Sequence, residues 1–178
     1  NEECFVHWFA ITEKIATLSD ICLMLLRTEG RAKVFYFLSQ IKGESYWKVQ
    51  QIDECDNFVY QLSRETILFN EYIKDIIDED KLLYVWSGIE NLLGKVLIRA
   101  IATIQSKKLN KEGMKVYLKN INTLQKMLSQ LTLSPSSDLN ELFAVGHYSL
   151  EKAKKFLDLF SLEGDQLIRY AKEHEDEF

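Results

Sequence analysis

Proline occurs once in 178 residues and glycine seven times, too little punctuation for an all-β chain, whose strands demand turn residues about every 8–12 positions. Cysteine is equally sparse. Cys4, Cys22 and Cys55 are an odd number without paired spacing, which argues against a disulfide framework and for a reducing compartment. No apolar run reaches the ~18–20 residues of a membrane-spanning helix, and Asn1-Glu2-Glu3-Cys4 is no secretory leader. The chain does not start with methionine, so we expect a fragment of a longer protein. Catalytic signatures are missing too. Gly94-Lys95 lacks the upstream glycine and the following Ser or Thr of a phosphate loop, and neither Gly-x-Ser-x-Gly nor His-Glu-x-x-His occurs. What is abundant is hydrophobic residue, 47% of a length ordinary for one domain. We therefore expect a single, mostly helical domain over 1–178 with a real core.

Helical periodicity recurs along the chain. Trp8, Ile11, Ile15, Leu18, Cys22 and Leu25 repeat at four-three spacing along one side and predict a first helix from about Glu3 to Arg27. Gly30 predicts a bend, followed by a further helix over Ala32–Ile41 with apolar residues nearly all round. Gly43–Cys55 reads as a connection, and Asp56 or Asn57 as the N-cap of a helix burying Phe58, Leu62, Phe69, Ile73 and Ile76. Asp78-Glu79-Asp80 suit the positive end of a next helix, which continues through Leu82, Val85, Ile89, Leu92 and Val96 to about Ile104 with Gly88 and Gly94 inside it. Asn110 is a candidate cap for a helix carried to about Leu133. Ser134-Pro135-Ser136-Ser137 then breaks the pattern, and Asp138 with Glu141 predicts a capped start for a helix burying Leu139, Leu142, Phe143, Leu150, Ala153, Phe156, Leu157 and Phe160. A last turn holds Leu167, Ile168 and Tyr170. Helices of ~20–25 residues, ~30–37 Å long, favour an elongated bundle.

Charge is segregated. Between Lys95 and Lys126, eight basic residues against the single acid Glu112 give +7, which leaves −12 for the rest of a chain whose total is −5. In the same stretch Met114, Tyr117, Ile121, Leu124, Leu128 and Leu131 form the cleanest apolar stripe, and Lys108, Lys111, Lys115, Lys119 and Lys126 line up on the opposite side. These five lysines are the candidate contact residues, for an acidic protein surface or an anionic membrane, by screened attraction. Few arginines, no interleaved exposed aromatics and the acidic total argue against nucleic acid. Other clusters give less. Asp75, Asp78, Glu79 and Asp80 lack the second acidic set that a magnesium–diphosphate site needs. Cys4 and His7 lack two further zinc ligands, and His147 has no nucleophile or carboxylate at a suggestive spacing. We expect no catalytic residue, metal, cofactor or small-molecule substrate.

Five segments, in order, carry a family resemblance. They are Arg31-Ala32-Lys33-Val34-Phe35-Tyr36-Phe37-Leu38, then Asp56–Leu62, Lys81–Leu92 with its Tyr84-Val85-Trp86-Ser87-Gly88, Gly113–Leu128 with Lys119-Asn120-Ile121-x-x-Leu124-Gln125, and Leu150–Leu167. Read together they resemble the C-terminal part of exocyst complex component four, the Sec-eight subunit family of the exocyst. Asn57 stands where the family pattern has proline, and Leu133–Tyr148 is longer than the matching family segment. The resemblance implies an all-α, elongated bundle of five to seven helices, part of the helical rod that multisubunit tethering complexes share. It implies a non-catalytic module that binds other exocyst subunits and tethers secretory vesicles to the plasma membrane before SNARE-mediated fusion. Its place would be cytoplasmic, peripheral at the plasma membrane and secretory vesicles. The alternatives are the equivalent segment of a Golgi or endosomal tether, and a peripheral lipid-binding helical domain using the lysine face.

Overall fold

Helix runs unbroken through Gly30. In a computed structural model, which describes residues 2–41, 54–103, 110–131, 149–159, 162, 165–166 and 169–170, the two helices expected on either side of that glycine are one, α1 (Glu2–Leu38). At 1.5 Å per residue its 37 residues reach roughly 56 Å. Gly30 does not bend the chain; it makes room. A Cβ there would lie 3.1 Å from the ring of Trp86, so the loss of about 1 kcal/mol in helix propensity is offset by close approach of a large aromatic.

Among the described residues there follow α2 (Asn57–Lys74), α3 (Glu79–Trp86), α4 (Ile89–Thr103), α5 (Lys111–Leu131) and α6 (Leu150–Leu159). Among the described residues all regular structure is helical, so the all-α bundle of five to seven helices holds. The packing closes a ring: α1 lies on α2, α2 on α5, α5 on α6, α6 on α4 and α4 on α1. Inside it Leu62, Leu93, Leu97, Ile101, Tyr117, Ile121, Leu124, Leu150, Ala153 and Leu157 are fully buried. Ordered burial of these aliphatic seams, each worth roughly 1.5–3 kcal/mol per large side chain, holds the ring together.

The helix expected to open at Asp78-Glu79-Asp80 and continue to about Ile104 is two helices. Gly88 takes φ 74°, a left-handed conformation that costs a non-glycine residue about 1–2 kcal/mol, and the chain turns there between α3 and α4. That elbow sits on α1. Trp86, 2% exposed, packs on Gly30, donates its indole N–H to Asn70 Oδ1 of α2 at 2.8 Å and meets the Phe69 ring edge-on at 5.8 Å. The last carbonyls of α3 have no intrahelical donors. Arg27 donates to Tyr84 O and, at 2.6 Å, to Ser87 Oγ, and Arg31 to Ser87 O at 2.7 Å. Two cations at the negative end of a helix are also favourable electrostatically.

Asp56 holds the N-cap position of α2, but its side chain does not cap α2. It reaches α5 instead. Asn120, wholly buried, donates from Nδ2 to Asp56 Oδ2 at 2.7 Å and accepts the Asp56 backbone N–H at 2.9 Å, a reciprocal pair that fixes where α2 starts relative to α5. Asn110 does cap α5, accepting the Gly113 N–H at 2.7 Å. Ile76, expected in the core, is 74% exposed because α2 ends at Lys74 and the helical period stops with it. Of the helix expected to run from Asp138 through Phe160 the described part is α6, opened by Ser149, whose hydroxyl accepts the Lys152 N–H at 3.3 Å. Residues 42–53, 104–109 and 132–148 lie outside the described residues, as do Phe160, Leu167 and Ile168.

Two outcomes test this packing. Gly30→Leu, which drives a branched side chain into Trp86, is expected to destabilise by about 1–3 kcal/mol, read as a lower urea midpoint at unchanged slope. Tyr117 is fully buried and donates to Leu97 O at 3.0 Å; burial first, then the negative charge of Asp56, pushes its pKa far above the ordinary 10.0. A folded value above the unfolded one contributes stability that is complete below pH 10 and declines as pH rises, by about 1.4 kcal/mol per pH unit once the unfolded phenol ionises. Urea midpoints across pH 8–11 should fall more steeply for the native chain than for Tyr117→Phe.

Candidate interaction surfaces

The lysine face of α5 stands where the periodicity puts it. Tyr117, Asn120, Ile121, Leu124, Met127 and Leu131 are buried on one side, while Lys111, Lys115 and Lys126 are exposed on the other and Lys119 is half-buried. Lys108 lies outside the described residues. From Lys111 to Lys126 the row extends roughly 22 Å. It is not uniformly positive, since Lys115 pairs with Glu112 at 2.7 Å. Exposed pairs of this kind contribute about 0–1 kcal/mol, so Lys115 can exchange its acid for a partner's at little cost.

Towards its C-terminal end the row borders an open groove of about 480 Å³ between α2 and α5. Ile67, Leu68 and Met127 give it an apolar floor, and Arg64, Glu71 and Lys126 stand at its sides. Ser63, which also lines it, has a buried hydroxyl without a hydrogen-bond partner. On the opposite flank of α5 the charge is already used within the fold: Gln125 donates to Glu151 of α6 at 2.6 Å and Lys154 donates to Gln125 Oε1 at 2.7 Å. These bonds, with Lys154's own, hold the Glu151 carboxyl below its ordinary pKa.

The second surface is the apolar side of the first helix. Its four-three stripe is in the open: Trp8 is 68% exposed, Ile15 62% and Leu18 61%, and Phe5, Val6, Phe9, Ile11 and Leu25 are exposed as well. The ring helices cover only the later part of α1, where Gly30, Val34, Phe37 and Leu38 are buried. Phe35 and Tyr36 in that part face outward too. Periodicity correctly gave the apolar side of the arm and said nothing of what covers it. A signal was nonetheless there: with four-three spacing sustained over six positions, it has the a/d pattern of a two-helix seam, and the first turns are apolar beyond it.

The remaining clusters do not assemble into a site. His7 is exposed, the acids from Asp75 to Asp80 are exposed, and among the described residues no three His, Cys, Asp or Glu side chains converge on a common point. His147 and the Cys4 side chain lie outside the described ones. Cys22 is an exposed free thiol and Cys55 a half-buried one. Among the described residues no helix is long and apolar enough to cross a membrane.

No family model matches the chain. Individual relatives do. The chain is 29% identical over 163 residues to exocyst complex component 4 of Dictyostelium discoideum, 25% over 167 residues to exocyst complex component 4 of Homo sapiens, and 20% over 169 residues to exocyst complex component SEC8 of Arabidopsis thaliana. These alignments take in 91 to 95% of this chain but only 13 to 16% of each relative. The ordered set of segments that suggested the Sec-eight subunit is thus borne out: along some nine-tenths of its length, this all-helical chain is similar to a segment of exocyst complex component 4.

Proposed function

We propose that this chain is a non-catalytic segment of an exocyst subunit, whose work is to hold other exocyst subunits while a secretory vesicle is tethered at the plasma membrane before SNARE-mediated fusion. The observation that carries the reading is the similarity to exocyst component 4 across Dictyostelium, human and Arabidopsis over nearly the whole chain. The geometry supports it in a general way. Among the described residues the charged helix face, Lys111, Lys115, Lys119 and Lys126, is suited to an acidic protein surface. A cytoplasmic, membrane-peripheral location goes with this reading, as does a single folded unit over the chain.

Immobilised chain is expected to recover other exocyst subunits from a cytosolic extract at about 0.1 M salt, and a chain that recovers none of them overturns the reading. Reversing charge at Lys111, Lys115 and Lys126 is expected to weaken that recovery about tenfold and to flatten its salt dependence, because rim charges act chiefly through screened attraction. If the reversed chain instead retains its subunits and loses flotation with vesicles containing anionic lipid, the lysine face is a membrane contact.

A further inference from the structure

The outward face of α2 carries side chains in an order that is its own complement. Opposite the side that buries Leu62, Thr66, Asn70 and Ile73, the exposed residues Arg64, Leu68, Glu71 and Tyr72 fall within about 100° of arc, and Tyr60 lies at its edge. The three apolar members, Tyr60, Leu68 and Tyr72, are 57, 49 and 79% exposed. Arg64 and Glu71 are roughly 10 Å apart along the helix, too far to bond each other, and among the described residues neither side chain has a hydrogen-bond or ion-pair partner. Glu65, which follows Arg64, is by contrast used within the fold, accepting from Lys33 of α1 at 2.9 Å. Arg64 and Glu71 lie about 40° and 60° to the same side of Leu68. On that side runs the groove between α2 and α5, with Ile67 and Met127 in its floor and Lys126 along it, a trough in which a second helix can lay a ridge.

We propose that α2 pairs with α2 of a second copy of this chain, antiparallel about a two-fold axis at Leu68. A two-fold pairing sets a residue before the axis against the residue equally far beyond it on the same flank. Leu68 therefore meets Leu68, and Arg64 of each copy meets Glu71 of the other, with Lys126 as a second cation beside it. Tyr72 covers the opposite flank against Gln61 of the other copy. The order base, apolar, acid is what favours a second copy over other occupants. An anionic lipid surface is repelled by Glu71 and by the exposed Asp75 one turn on, and an unrelated helix would need the same spacing, which a second copy carries by construction. Tyr60, Leu68, Tyr72 and the stems of the charged residues cover on the order of 500 Å² per copy, hence about 1,000 Å² for the pair, the low end of specific interfaces. The pairing is thus weak and salt-sensitive. It does not rest on the exocyst reading, since the face is self-complementary whatever else the chain holds; where the chain sits in a larger assembly, the pairing joins two assemblies through their α2 faces.

Sedimentation equilibrium of the purified full-length protein tests it. The protein is expected to pass from monomer towards dimer between about 1 and 100 μM at about 0.1 M salt. Arg64→Glu and Glu71→Arg, both exposed positions, are each expected to weaken dimerisation at least tenfold, and the double variant, which restores both pairs with their signs exchanged, to return within about threefold of the native chain. A protein that stays monomeric over that range overturns the proposal, as does a dimer indifferent to the single reversals or a double variant no stronger than either. A photo-reactive phenylalanine analogue at Leu68 identifies the occupant independently. Cross-links from one copy to α2 of another support the proposal, whereas cross-links to a different polypeptide, to lipid or to nothing overturn it.

Discussion

The seating of Trp86 on the bare backbone of Gly30 is the contact on which the arrangement of the first four helices depends. It brings α3 against α1 closely enough for Arg27 and Arg31 to reach the carbonyls at the end of α3. Tyr84 O and Ser87 O lie at a partly exposed corner beyond the reach of the helix's own amides, and the two guanidinium groups supply them with donors. Asn70 and Phe69 hold the indole from the other side, so α2 is fixed to the same ring. With the corner stabilised this way, Gly88 can take its left-handed turn and send α4 back along α1.

A second polar lock does for the other half of the bundle what Trp86 does for the first. Asn120 sits among aliphatic side chains, where an amide is costly unless its hydrogen bonds are met, and Asp56 supplies both an acceptor and a donor. Apolar seams tolerate sliding by a turn; a reciprocal bond of this kind does not. The ring α1–α2–α5–α6–α4 therefore combines greasy contacts that stabilise it with a few polar ones that set its register.

The sequence made some of this legible and not the rest, for physical reasons. The α5 face was readable because its lysines and its apolar stripe occupy opposite sides of one helix, so the pattern needed no partner to interpret it. Asn110 was readable as a cap because a cap is local. Gly30 and Gly88 were misread in opposite senses, the first as a break and the second as a helical residue. A glycine in sequence declares only a missing side chain, and whether a ring fills the gap or the backbone turns through it is decided by tertiary contact. Asp56 was placed correctly and its bond was not, since Asn120 lies 64 positions away. The arm of α1 shows the limit of periodicity most plainly, because an apolar stripe identifies what must be covered without identifying the cover.

That one helix both anchors in the bundle and extends beyond it has a mechanical consequence. Gly30 to Phe5 is roughly 37 Å of stiff helix at 1.5 Å per residue, so a tilt of about five degrees at the Trp86 seat displaces the tip by about 3 Å. Force applied at the arm is levered directly onto the arginines that hold the corner at Gly88, and small repacking around Trp86 is magnified at the far end.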